Sequence, residues 1–571
     1  MISGDTVKET LPPPATCVHP SGRFLCGIHR PSYRVINRRM TEAHRILGHD
    51  AENTPIDNKA NFPPAHLCVE NGEWVYEIPN PFPFWGATYI LSWPADNFSK
   101  GHDNFSFKPV REEGQDFPLL KKIFSGTLKT QDDHATYSVQ DLPRYILLAV
   151  AQSCRDPEIL KAIVPLACKL EYNSEGTPVG FAYDTNGQGK KRPVIHDHDL
   201  FETLGNNPAL PEEYRLVMVL WPGAQGDNPI LGEYRSEPRT HIWEYLRANS
   251  YIPWGHYASN MAQDSIRYKA SDLSIEDIRG LRHLYYQRIY SQMALYLDII
   301  DQETFQQERK LSPLDETGLE SLRHKITERI SQLLEKGEKL PFAATLWGWN
   351  YGYDFSSSGY RLHASHQQIH QQFALIRPEV ETIAFREGMP GHIPSYAVGD
   401  QVADFCRRYK STYKTDFFET YLKAIVSNER IDGKEGLPAS LVLFEDEQVI
   451  LHVPKAQRSQ GEVQIMVKRN AGNILETDSS CRKSIDKALF LAIRTFDFLG
   501  AEMVTSYEVS KRFDNPDRDQ RLFYCMLPRH PQSPGAFSER QERWITGHFP
   551  EDYAAMFRKA MSSACPEMAQ K

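Results

Sequence analysis

Residues 437–535 change hydrophobic period in an order that leaves few folds open. Residues 440–444 and 448–453 are short β-branched and apolar runs joined by the turn Glu445-Asp446-Glu447. Residues 462–467 form a third such run. Residues 482–499 carry apolar side chains at helical spacing and stop at Gly500, and 503–509 and 521–527 return to strand character. Strand, strand, strand, helix, strand, strand predicts an α+β arrangement on an antiparallel sheet.

A similar opening stands near the N-terminus. Residues 74–78 and 87–93 read as two strands around the turn Pro79-Asn80-Pro81-Phe82-Pro83-Phe84-Trp85-Gly86. Both hairpins have a proline near the exit of the second strand, Pro94 and Pro454. That faint self-similarity predicts two related blocks, 71–380 and 437–571. The first is interrupted by a large, mainly helical insertion over 142–338, and a helical connector spans 381–436.

Within the insertion, Ile278, Leu281, Tyr285, Ile289, Met293, Tyr296 and Ile300 form one apolar stripe, with Ser274 and Asp277 as a capping pair. Leu319, Leu322, Ile326, Ile330 and Leu333 form another, stopped by Gly337. His196-Asp197-His198-Asp199 reads as a solvated turn rather than a metal site, because glycines, lysines and a proline precede it. Residues 1–70 read as irregular and 538–571 as helical.

The bulk numbers exclude several classes. At 571 residues the chain needs more than one core. Lys plus Arg number 65 against 74 Asp plus Glu, a net charge of -9 with no basic domain, which argues against a nucleic-acid binder. Nothing reads as a secretory signal or as a run of eighteen apolar residues, so no membrane partner is expected and a cytoplasmic location is. Nine scattered cysteines without a C-x-x-C fit reduced thiols and give no cysteine-based zinc signal.

Chemistry concentrates in residues 361–372. Arg361-Leu362-His363-Ala364-Ser365-His366-Gln367-Gln368-Ile369-His370-Gln371-Gln372 holds three His and four Gln in its last ten positions. As a strand it puts His366, Gln368, His370 and Gln372 on one face, a row suited to phosphate oxygens. As a helix it would align His363, His366 and His370 as metal ligands. The apolar run after it, Phe373 to Ile376, favours the strand. The plain alternative is an exposed polar strand.

This segment resembles the active strand of the histidine-triad superfamily, in the branch of galactose-1-phosphate uridylyltransferase and the dinucleoside polyphosphate and GDP-sugar phosphorylases. Ala364 and Ser365 match the start of that motif, His370 its nucleophile and Gln372 its final Gln. Asn350, Gly352 and Gly359 resemble the preceding loop, and Asn80, Pro83 and Gly86 the turn beneath the nucleotide. Gln368 departs from the pattern, standing where a histidine that often helps bind zinc is usual. No cofactor is therefore expected with certainty, and zinc is not signalled.

The resemblance implies duplicated histidine-triad-like antiparallel blocks, the second catalytically degenerate. It implies transfer of a nucleotide from a nucleoside diphosphate sugar or dinucleoside polyphosphate to a sugar phosphate or phosphate, through a nucleotidyl-histidine. His370 and Gln372 would be catalytic. Asn80, Arg361, Ser365, His366 and Gln368 would bind nucleotide or phosphate, and the chain could pair as a homodimer. The alternatives are a noncatalytic nucleotide-binding protein of the same fold, a nucleotide hydrolase, or a metal enzyme on the His cluster.

Overall fold

The computed structural model describes residues 15–36, 43–62, 66–101, 105–107, 139–185, 191–207, 209–219, 264–266, 273–300, 314–352, 369–382, 388, 390–501, 503–529 and 535–566. The strands that build its two larger sheets are β1 (Gly27–His29), β2 (Val75–Pro79), β3 (Ala87–Leu91), β4 (Asp264–Ile266), β5 (Ala344–Gly352), β6 (Ile369–Ile376), β7 (Val442–Glu445), β8 (Val449–His452), β9 (Val463–Val467), β10 (Met503–Val509), β11 (Phe523–Arg529) and β12 (Arg543–Thr546). Eight of them form one antiparallel sheet in the order β4-β6-β5-β10-β11-β9-β8-β7, and four form a second in the order β12-β3-β2-β1. The class is α+β with antiparallel sheets.

The principal helices are α1 (Arg144–Ser153), α2 (Pro157–Ala167), α3 (His198–Asn206), α4 (Glu212–Val219), α5 (Ile275–Tyr296), α6 (Glu316–Glu335), α7 (Val398–Tyr413), α8 (Phe417–Val426), α9 (Ser479–Phe498) and α10 (Pro550–Ala564). The eight-stranded sheet is packed on its rear face over β5 to β11 and on its front face over β8 to β11. Its rear face offers Val449, Leu451, Val463, Ile465, Tyr524, Trp347 and Phe373 to the apolar stripes of α5, α6 and α9. Its front face offers Ile450, Met466, Phe523, Cys525 and Val509 to the turn between β2 and β3 and to α7 and α8. Alternate residues of each strand thus enter different cores, as a pleated strand requires.

Local signals decide most element ends. Ser274 and Asp277 form the reciprocal capping box that starts α5, with Ser274 N donating to Asp277 Oδ2 at 2.8 Å and Asp277 N to Ser274 Oγ at 3.2 Å. Gly337 and Gly500 take positive φ after α6 and α9.

The structure differs from the sequence expectation in several places. The two hairpins read as counterparts occupy different sheets: β2–β3 pairs with β1 and β12, whereas β7–β8 belongs to the sheet of β5 and β6. The helical region is divided. α1 to α4 share a core of their own around Leu160, Ile163, Val164 and Phe201, while α5 and α6 belong to the main core. Residues 196 and 197 form the bend and cap that lead into α3, which begins at His198. Asp197 is its N-cap, accepting from Leu200 N at 3.0 Å, and Arg144 bridges Asp197 and Asp199. Residues 1–70 contain short paired strands, among them Tyr33–Ile36 with His66–Val69. The tail holds β12, a four-residue Arg-Trp-Ile-Thr run that pairs parallel to β3 and is too short to register as a strand by periodicity. Among the described residues, no helix is long and apolar enough to cross a membrane.

Candidate functional site

β6 lies between β4 and β5. Its register pairs His370 with Asn350 on one side and Ser265 on the other, and Gln372 with Gly348. The described strand begins at Ile369. Arg361, His363, Ser365, His366 and Gln368 fall outside the described residues, and so does the question of strand or helix for that stretch.

Burial alternates along β6. Gln371 and Phe373 are buried while Gln372 between them is exposed. On β5, Trp347 and Trp349 are buried, and Leu346 on the other face is 40% exposed. One face of this end of the sheet is therefore packed and the other open.

The packed side contains charge. Arg282 on α5 is fully buried, its guanidinium 4.5 Å from the Trp347 ring and 4.9 Å from that of Tyr524. It donates to the Tyr286 hydroxyl at 2.6 Å and the Tyr524 hydroxyl at 2.7 Å, and lies 3.6 Å from Asp486. Glu508 accepts from Tyr524 at 2.7 Å, Thr345 at 3.0 Å and Tyr285 at 3.1 Å. Burial raises the Glu508 pKa and pushes that of Asp486 up to about 7, with Arg282 opposing both. A buried cation surrounded by aromatic faces and carboxylates has its desolvation offset by them.

The open side is walled by the β2–β3 turn. Asn80 is buried. Its Oδ1 accepts from Phe82 N at 3.1 Å and its Nδ2 donates to Ala456 O at 3.3 Å, so its carboxamide shapes the turn and ties it to the loop after β8. Phe82 lies in an aromatic cluster with Phe405, Phe417, Phe418 and Phe523, the last stacked on it with ring centroids 5.3 Å apart. Trp85 is covered by Arg458, 3.8 Å from its ring. Phe82 and Trp85 are therefore core residues, and Phe84 is half-buried.

Arg458 connects this turn to the sheet. It donates to the Tyr507 hydroxyl and pairs with Glu462, which also accepts from Gln464 Nε2 at 2.9 Å. Tyr507 is paired with Gly348, and Gly348 with Gln372, so the three form one cross-strand row on one face. With strands about 4.8 Å apart, the Cα atoms of Gln372 and Tyr507 are separated by roughly 10 Å. The residue between them has no side chain. The row continues through Cys525 and Gln464 to His452. His452 is fully buried, and burial pulls its pKa down to about 4.

The structure therefore puts His370 and Gln372 on one strand, two positions apart, and links the Asn80 turn to their sheet through Trp85, Arg458 and Tyr507. Sequence reasoning did not single out Gln371, Arg282, Gly348, Arg458 or Tyr507. A glycine between two tryptophans in β5 was a readable signal; the remaining four acquire their meaning from partners distant in sequence. Among the described residues, no three His, Cys, Asp or Glu side chains gather as metal ligands.

No family model and no curated protein matches the chain. Solved structures do match it. A uridylyltransferase is 15% identical, with 43% of this chain and 68% of that chain covered and a TM-score of 0.29. An ADP-glucose phosphorylase from Arabidopsis thaliana, solved with bound ADP-glucose, is 15% identical, with 43% and 66% covered and a TM-score of 0.30. A uridylyltransferase mutant is 12% identical, with 60% and 91% covered and a TM-score of 0.33.

Proposed function

We propose that the chain is a nucleotidyltransferase or phosphorylase that works through a nucleotidyl-histidine on His370. The observation that carries this reading is the cross-strand row Gln372–Gly348–Tyr507, beside His370 on an open sheet face. Gly348 presents no side chain between the exposed carboxamide of Gln372 and Tyr507, and Arg458 ties Tyr507 to the fixed turn through Trp85.

In the first half-reaction a ring nitrogen of His370 attacks the α-phosphorus of the donor. A nitrogen–phosphorus bond forms, the phosphorus–oxygen bond to the leaving phosphate breaks, and its electron pair leaves with that oxygen. In the second, a phosphate oxygen of the acceptor attacks the same phosphorus and releases the imidazole. An ordinary imidazole is neutral and nucleophilic near pH 7. Phosphoryl chemistry asks the protein chiefly for in-line placement and charge stabilisation. Gln372 supplies an amide donor to a nonbridging oxygen. Arg361, Ser365, His366 and Gln368 serve as further phosphate contacts, with donors drawn from nucleoside diphosphate sugars or dinucleoside polyphosphates.

The test is incubation with a panel of such donors labelled at the α-phosphorus. A protein-bound label that is acid-labile, base-stable and lost in His370→Ala is expected. Binding of nucleotide without any label transfer would replace this reading by a noncatalytic nucleotide-binding protein.

A further inference from the structure

The strand that carries His370 and Gln372 is held from behind by the residue between them. Gln371 is fully buried, and both ends of its carboxamide are used. Oε1 accepts from Trp347 Nε1 at 2.8 Å and Nε2 donates to Leu281 O at 3.1 Å. The two partners arrive from different elements, β5 beside the strand and α5 beneath it.

Each partner is itself immobilised. Trp347 lies under the guanidinium of Arg282, and Arg282 is fixed by the Tyr286 and Tyr524 hydroxyls. Leu281, which supplies the carbonyl, immediately precedes Arg282 in the same helical turn. One turn of α5 thus fixes Trp347 through Arg282 and supplies the carbonyl bonded to Gln371 Nε2.

An apolar side chain would suit a core of Trp347, Trp349, Tyr285 and Phe373 better, because burying a carboxamide costs desolvation. What the carboxamide adds is direction. Successive residues of a strand leave it on opposite faces, so a side chain pinned from the rear at 371 sets the roll of the strand at 370 and 372. Transfer at phosphorus is sensitive to such placement: a misplacement of about 1 Å costs on the order of a hundredfold in rate.

We propose that Gln371 is a positioning residue for nucleotidyl transfer, orienting β6 through Trp347 and Leu281 so that His370 and Gln372 meet the α-phosphate. The inference rests on His370 as nucleophile.

Three measurements test it. Gln371→Leu is expected to fold, to lower kcat by roughly tenfold to a hundredfold and to leave the donor KM within about twofold. Gln371→Glu keeps both bonds while its carboxyl is protonated and loses the donor to Leu281 O on ionisation. It should therefore be active at low pH and fall as pH rises, a limb that wild type lacks, because burial raises a carboxyl pKa. Amide hydrogen exchange at residues 369–373 should accelerate in Gln371→Leu without nucleotide present. A folded Gln371→Leu with unchanged kcat, or a Gln371→Glu pH profile superimposable on wild type, would overturn the inference. If wild type forms no adduct at all, the nucleotidyl-histidine reading is what fails. Exchange alone then decides whether Gln371 anchors the strand: faster exchange sustains that, and unchanged exchange removes it.

Discussion

His370 and Gln372 differ in what their loss should cost. On the proposed mechanism His370→Ala removes the attacking nitrogen, so label transfer should vanish. Gln372→Ala removes one donor to developing charge, and should slow transfer by on the order of a hundredfold. Rapid-quench measurement of the adduct separates the two, and equal losses would give Gln372 a larger part than oxygen binding. His452, at the far end of the Gln372 row, makes a stability prediction. Its imidazole is fully buried, and burial pulls its pKa down to about 4. The unfolded chain takes up that proton near pH 6.5, so between about pH 6.5 and 4 the unfolded state binds more protons and stability falls as pH falls. His452→Leu should therefore be more stable than wild type, by a margin that grows from pH 7 to pH 4.5 in urea titrations. A margin constant with pH would show that His452 does not titrate as its burial implies.

At the scale of elements, the turn between β2 and β3 does more than reverse the chain. Gly86 has φ +76°, and a Cβ there would lie 1.9 Å from Glu542 O, the carbonyl that accepts from Ala87 N at 3.0 Å. This glycine therefore lets β12 approach β3. Gly86→Ala should cost more than about 1 kcal/mol, since it adds strain and a clash together. It should also expose residues 535–546 to proteolysis before the main sheet melts; simultaneous loss of both would show that β12 and the sheet are one cooperative unit. Much at this scale was legible beforehand. The stripes of α5, α6 and α9 and the strands β7 to β11 stand close to their expected places, because periodicity and end signals are local. The second strand of the hairpin was expected to reach Trp93, but a helix begins at Ser92. Short elements such as β1 and β12 were missed because their stability comes from the strands they join.

Across the whole molecule, two kinds of core coexist. α1 to α4 bury Leu160, Ile163 and Val164 among themselves, whereas Ile485 of α9 lies beneath the main sheet. Leu160→Ala and Ile485→Ala should each cost about 2–5 kcal/mol in their own core. Their exchange signatures should differ. Leu160→Ala should release amides of α1 to α4 and leave β8 to β11 protected, and Ile485→Ala should release the sheet. Uniform loss from Leu160→Ala would show that the helical unit and the sheet unfold together.

The sequence by itself determined the class, the main helices and the strand-rich order of 437–535, since hydrophobic period and capping residues act over a few positions. It also brought His370 and Gln372 forward, because their spacing is a property of one strand. The tertiary structure decided which strands share a sheet, and it separated the two hairpins that looked like counterparts. It alone gave Gln371 its partners from β5 and α5, set Arg282 among aromatic rings from three elements, and joined Trp85 to Tyr507 through Arg458. Those arrangements depend on side chains brought together from positions tens to hundreds of residues apart. Desolvation and hydrogen-bond pairing fix them only once the chain has closed around them.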